Sequence, residues 1–311
     1  MITLPEVLFN RVATAFSVAL DGAYASLHVY SIGLLAVLAT MYFMVAMGQG
    51  LVGYITLGEA LGSLFWIVIK IGVFYFVLVV LYDLMWNAAF RTFIKWGADA
   101  GGGRFPFDSF MEPGSLVRQG FVVAYPIKVW LDQFIGLSLP FYFVDFLLML
   151  GAYWTIIFAF GMLALHVLMA LIEMKMAIAT GAILIPWGVL TQTAFFAEMS
   201  ISWMASGLVR VLLTALLMGI ALPLFELLAL PVPSFFGPDP TVVQSVGTAL
   251  GAIVFAALAW VLPGRAAGMA GRGVALGLGA DHVVAGGLMG VRAVTQLAGG
   301  AIRNVNRVRY A

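Results

Sequence analysis

What most constrains this chain is the recurrence of long apolar runs that carry almost no charge. Ser31 to Met47 contains no charged residue, Leu64 to Tyr82 contains only Lys70, and Gly207 to Leu230 contains only Arg210 and Glu226. Runs of this length and composition fit membrane-spanning helices, which need about 20 predominantly apolar residues to cross the hydrocarbon core. The whole sequence agrees, with 63% hydrophobic and 9% charged residues where soluble domains carry about 25% charge. The fold expected is all-α, a polytopic helical membrane protein of about five spans. An N-terminal amphipathic helix and a re-entrant segment complete that expectation. No cysteine is present, which excludes disulfides and thiolate metal sites.

Five segments follow along the chain. Residues 1–30 read as an amphipathic helix. Thr3 and Glu6 form a capping box with Pro5 in the first turn. Leu4, Leu8, Val12, Phe16, Ala19, Ala23 and Leu27 make its apolar stripe, with Arg11, Ser17 and Asp21 largely off it. The start lacks a basic n-region, so no cleaved signal peptide is expected. Residues 31–82 hold the first two spans, joined by a Gly-rich connection. Residues 83–142 read as the one long extramembrane segment before the tail, with balanced charges and short helices, the second kinked or divided at Pro126. Phe105, Phe107 and Phe110 are there either to anchor a partner or to form a small core of their own. Residues 143–262 hold the core spans: Phe143–Ile172, Gly207–Leu230 and Gly247–Leu262, the last closed by Pro263-Gly264. Residues 263–311 form a basic Gly/Ala-rich tail with Arg265, Arg272, Arg292, Arg303, Arg307 and Arg309 against Asp281 alone.

Between two of the core spans lies the least ordinary stretch. Glu173 and Lys175 are followed by an apolar run, Ala177–Leu190, of about 14 residues, short for a span. Pro186 and Gly188 interrupt it, and a polar segment carrying Glu198 follows. Shortness and Pro186 favour a re-entrant or interfacial element over a sixth crossing. Arginines close to a span stay on the cytoplasmic side, so the tail is expected inside. Counting back through five spans puts the N-terminus and the 83–142 segment outside.

This stretch resembles the TrbL family of conjugative transfer proteins, the VirB-type polytopic subunit of type IV secretion systems. The family pattern is an apolar run, a Pro-aromatic-Gly-Val-Leu step, a Thr-Ala-Phe element and a Glu. Here those are Pro186-Trp187-Gly188-Val189-Leu190, Thr193-Ala194-Phe195 and Glu198. The resemblance implies a bacterial inner-membrane platform subunit that supports conjugative DNA or protein transfer and pilus assembly. It implies a homo-oligomer among other secretion and pilus subunits, without catalysis. The N-terminus and the 83–142 loop would be periplasmic and the C-terminus cytoplasmic.

Each candidate residue has a plainer reading beside the functional one. Lys70 is an intramembrane cation, and such residues usually face a bundle interior or water; it could equally snorkel to an interface. A Lys70–Glu226 pair is opposed by the depths of the two residues. Pro186 and Gly188 either line a shared path or seat a partner, or make an ordinary kink. Arg303 and Arg307 either touch transferred DNA or anionic membrane lipid, or only fix topology. His166 and Glu173 share a helical face but lie about 10 Å apart along it, too far for one metal ion. His28, His166 and His282 fall in separate segments, so no metal site is expected. No phosphate-binding loop or acid–base constellation appears, and no cofactor is expected. The alternative function is a stand-alone secondary transporter or channel, which typically shows internal repeats and two corresponding broken helices. One broken element and no repeat are visible.

Overall fold

A computed structural model of the protein describes residues 4–51, 57–103, 107–133, 143–228, 230–233 and 239–273. Among the described residues it is helical without a strand. Helix α1 is Leu4–Leu51 and α2 is Leu57–Tyr82, continued by a π-helical stretch, Asp83–Phe90, into α3, Arg91–Ala100. Short α4 (Phe107–Met111) leads to α5, Gly114–Gln133. Helix α6, Phe143–Leu184, ends in a 3₁₀ turn, Ile185–Val189, before α7, Ala194–Leu227. Helix α8 is Val242–Gly273. Five stretches are long and apolar enough to cross a membrane: Leu4–Val45, Leu64–Ala100, Phe143–Val189, Ala194–Leu227 and Val242–Met269.

The contacts fix the directions of the helices. Gly181 meets Ser200 and Met204 while Gly207 meets Met174, so α6 and α7 are antiparallel. Thr248 Oγ1 donates to the Leu228 carbonyl, and Phe255 packs on Phe225, so α8 returns along α7. Phe74 lies against Gly188 and Trp86 lies at Lys175, so α2 opposes α6. Gly97 faces Ala215 and Gly101 faces Gly219, which sets α3 parallel to α7. Helix α1 meets Lys175 through Ser17 and Asp21 and then reaches the turn at 185–189. Helices α1, α6 and α8 therefore run one way, and α2–α3 and α7 the other.

Five boundaries differ from the sequence reading. The N-terminal helix is not separate from the first span, since α1 runs unbroken for 48 residues, about 72 Å. No proline or glycine lies between Leu27 and Ser31 to stop it. The second span does not end at Tyr82. It continues to Ala100, because Gly97 and Gly101 let α3 press directly onto the α7 backbone. Residues 177–184 are the last turns of α6 rather than an element apart. Their alanines favour helix, and Glu173 and Lys175 find partners within the bundle. Pro126 does not divide α5, and α8 passes through Pro263 to Gly273. Neighbouring helices commonly heal the carbonyl that a proline leaves unpaired in such bundles.

Phe110 is fully buried, and Phe107 lies under the Arg91 guanidinium, 5.4 Å from ring centroid to Cζ. These two aromatics belong to the protein's own core. Phe105, the connection at 52–56 and the tail beyond Gly273 lie outside the described residues.

The α3–α7 contact gives a direct test. A Cβ on Gly101 would stand 2.6 Å from the Leu216 carbonyl oxygen and 2.8 Å from the Gly219 Cα. Gly101→Leu should cost about 1–3 kcal/mol through forced separation of the helices, read as a lower thermal midpoint in detergent. Gly151→Leu, whose Cβ meets nothing within 4 Å, should leave the midpoint nearly unchanged.

Candidate functional site

Lys175 carries a charge into the bundle, with its side chain only 6% exposed. Its Nζ donates to Asp21 Oδ1 at 2.6 Å, to Asp21 Oδ2 at 2.7 Å and to Ser17 Oγ at 2.7 Å. The ammonium also lies 4.5 Å from the centroid of the Trp86 ring. Tyr82 donates its hydroxyl to Asp21 Oδ1 at 2.8 Å. A buried charge is tolerated when paired and hydrogen-bonded, and here α1, α2, the π-helical stretch and α6 supply the partners. A π-helical stretch changes the register of the side chains that follow it. The stretch after Tyr82 holds Trp86 on the ammonium and stacked on Phe90, ring centroids 4.3 Å apart.

Glu173 and Lys175 stand two residues apart on α6, about 200° round the helix, so they cannot share a partner. Glu173 accepts from Arg210 Nη1 of α7 instead. The two pairs tie α6 to α1 on one side and to α7 on the other. His166 lies about two turns before Glu173, 1% exposed, its ring 6.0 Å from that of Trp260. Neither of its ring nitrogens has a hydrogen-bond partner among the described residues. A cavity of about 150 Å³ opens beside Lys175, lined in part by Thr14, Ser17, Trp86 and Leu168. Its polar lining and size suit a few ordered waters.

The break between α6 and α7 is closed locally. Pro186, in the first turn of the 3₁₀ segment, is buried, as is Gly188. The Phe74 ring occupies the space that a Cβ on Gly188 would need, and the Ala197 Cβ is 3.0 Å from that position. Thr193 donates its hydroxyl to the Trp187 carbonyl at 2.8 Å, satisfying an acceptor that the helix end leaves free. Glu198 is half-buried in the second turn of α7. Lys70 lies one turn before Phe74 on α2, its Nζ 5.8 Å from the Tyr42 ring centroid.

The structure thus gathers Lys70, Pro186, Gly188 and Glu198 around the α6–α7 turn. It divides Glu173 from Lys175 and gives each its own partner. Lys70 and Glu226 sit towards opposite ends of α7. Arg303 and Arg307 lie outside the described residues. Asp21, Ser17, Tyr82 and Trp86 were absent from the sequence-derived site. Asp21 was legible only as a polar residue off the α1 stripe, and Arg210 only as a mark of topology.

Five apolar helices with paired charges between them define a polytopic helical membrane protein. Residues 39–262 match the model of the family described as TrbL/VirB6 plasmid conjugal transfer protein. The chain belongs to this family and is a component of conjugal transfer by type IV secretion. No curated protein sequence matches it. The matched region holds Lys175, Glu173, Arg210 and the turn, whereas Ser17 and Asp21 precede it.

The Lys175 cluster predicts a specific pattern of stabilities. Asp21→Ala strands a buried ammonium and should cost about 2–4 kcal/mol, below a fully buried pair because Asp21 is 42% exposed. Adding Lys175→Met should recover part of that loss, since an apolar replacement removes the stranded charge. Thermal midpoints of the two single variants and the double variant check the coupling. Losses that simply add would show that the residues are independent.

Proposed function

We propose that the protein is a subunit of the inner-membrane platform of a type IV secretion system, supporting conjugative DNA or protein transfer and pilus assembly. The observation that carries this reading is the family match over most of the chain, from Ala39 to Leu262. Within that region the chain spends its polar residues on holding helices together. Lys175, Glu173 and Arg210 fix α6 between α1 and α7, a design suited to a scaffold. The partners in this reading are further copies of the chain and other secretion and pilus subunits. Exposed Met41, Phe43, Phe65 and Trp66 on α1 and α2 offer apolar faces to neighbours or lipid.

The proposed orientation puts the N-terminus and the 83–142 region in the periplasm and the C-terminus in the cytoplasm. The opposite directions of α1 and α7, and the arginine-rich tail, support it. The α6–α7 turn, with Pro186, Gly188 and Glu198, would then face the cytoplasmic side as a seat for a partner.

Deleting the gene in frame from a donor cell should abolish plasmid transfer, and a second copy should restore it. Unchanged transfer after deletion would remove the secretion role. Complementation with Glu198→Gln should leave the protein at normal membrane levels yet lower transfer. For the orientation, the absence of native cysteine makes single-cysteine labelling clean. Glu112→Cys should react with an impermeant maleimide in intact spheroplasts, and Gln192→Cys only after permeabilisation. The mirrored result would invert the topology.

A further inference from the structure

The α5 helix presents an outward face that the roles above leave unused. Arg118, Val122, Tyr125 and Lys128 recur at steps of four and three, so they lie on one face, and all four are exposed. Together with Phe225 and Glu226 at the end of α7, they line a groove of about 700 Å³. That size falls in the range of small-molecule sites. The middle of the groove is apolar: Val122 is 59% and Tyr125 54% exposed, beside the aromatic ring of Phe225. Charges stand at its margins. Arg118 is 3.7 Å from the Glu6 carboxylate, which offsets it. Lys128 makes no ion pair or hydrogen bond among the described residues.

An ammonium beside an apolar trough on a membrane helix calls for an anion. A trough open along the flank of lipid-facing helices calls for hydrocarbon. One molecule that supplies both is a phospholipid. The charges then select its head. With Arg118 offset, the groove carries one cation, Lys128, and one carboxylate, Glu226. A lipid with net negative charge would set its excess charge against Glu226. A zwitterionic head meets both groups. Glu226 has a partner within the chain, yet a carboxylate offers about four acceptor positions and can take another donor.

We propose that this groove binds a zwitterionic aminophospholipid. One acyl chain lies against Val122, Tyr125 and Phe225, the phosphate lies on Lys128, and the ammonium is directed to Glu226. Such a lipid would wedge α5 against the ends of α6 and α7, and so would hold the 83–142 region on the core spans.

The test uses the full chain, purified in mild detergent and examined by native mass spectrometry. Palmitoyl-oleoyl phosphatidylethanolamine and phosphatidylglycerol are added in equal amounts. The wild type should retain phosphatidylethanolamine in preference. Lys128→Gln should lower that occupancy about tenfold, the effect of losing one charge-assisted contact. Glu226→Gln should shift the preference towards phosphatidylglycerol. Val122→Trp, which fills the trough, should reduce both lipids, and Lys95→Gln on α3 should change neither. Equal retention of the two lipids by the wild type, or retention unaltered by Lys128→Gln, would overturn the proposal. A photo-crosslinking amino acid in place of Tyr125 reads the occupant in cells without removing a charge. An adduct of phospholipid mass supports the lipid site. An adduct with a polypeptide, or none, overturns it.

Discussion

An ammonium group inside a bundle of apolar helices must have a counter-charge within reach, and much of this structure is arranged to give Lys175 one. Asp21 sits 154 residues away in sequence and 2.6 Å away in space. Ser17 and Trp86 complete the surroundings of the ammonium, and Tyr82 holds the carboxylate in place. Lipid tails are as apolar as leucine, so apolar burial alone gives membrane helices little reason to choose one neighbour or register over another. Charge pairs and close packing of small residues supply that choice. Here Lys175–Asp21 sets α1 against α6, Glu173–Arg210 sets α6 against α7, and Gly101 on Gly219 sets α3 against α7.

The same logic governs the break at the α6–α7 turn. Irregular backbone among membrane helices persists only where protein or water satisfies it. Pro186 ends the regular hydrogen bonding, the Thr193 hydroxyl takes up the Trp187 carbonyl, and Phe74 closes over Gly188. Pro186, Gly188 and Thr193 belong to the family pattern that the chain shares, and each has a structural task at the turn. A rigid, closed turn held by a helix from elsewhere in the chain suits a component that must present a fixed surface to other subunits of a transfer machine.

Some of this was legible along the sequence and some was not, for identifiable reasons. The five apolar stretches were visible because hydrophobicity over a window of about 20 residues is a local property. Their ends were less visible. Pro126 and Pro263 look like helix ends in isolation, but both lie inside helices, since a neighbouring helix can satisfy what proline leaves unpaired. The absence of a breaker between Leu27 and Ser31 was a usable signal that α1 would continue. Glu173 and Lys175 stand so close in sequence that they read as a pair. The turn of about 100° per residue sends them to different neighbours.

Read along its length alone, the chain is already a multi-span helical membrane protein with a helix boundary at Pro186 and, around it, residues that follow the TrbL/VirB6 pattern. Those properties depend on composition, local backbone chemistry and short-range spacing. Packing in three dimensions was needed to pair Asp21 with Lys175 and Arg210 with Glu173, to lay Phe74 over Gly188, and to bring the α5 face to the end of α7 in a groove. Helical periodicity tells which residues of one helix share a face. Which face meets which, and at what height, is fixed only when the helices pack.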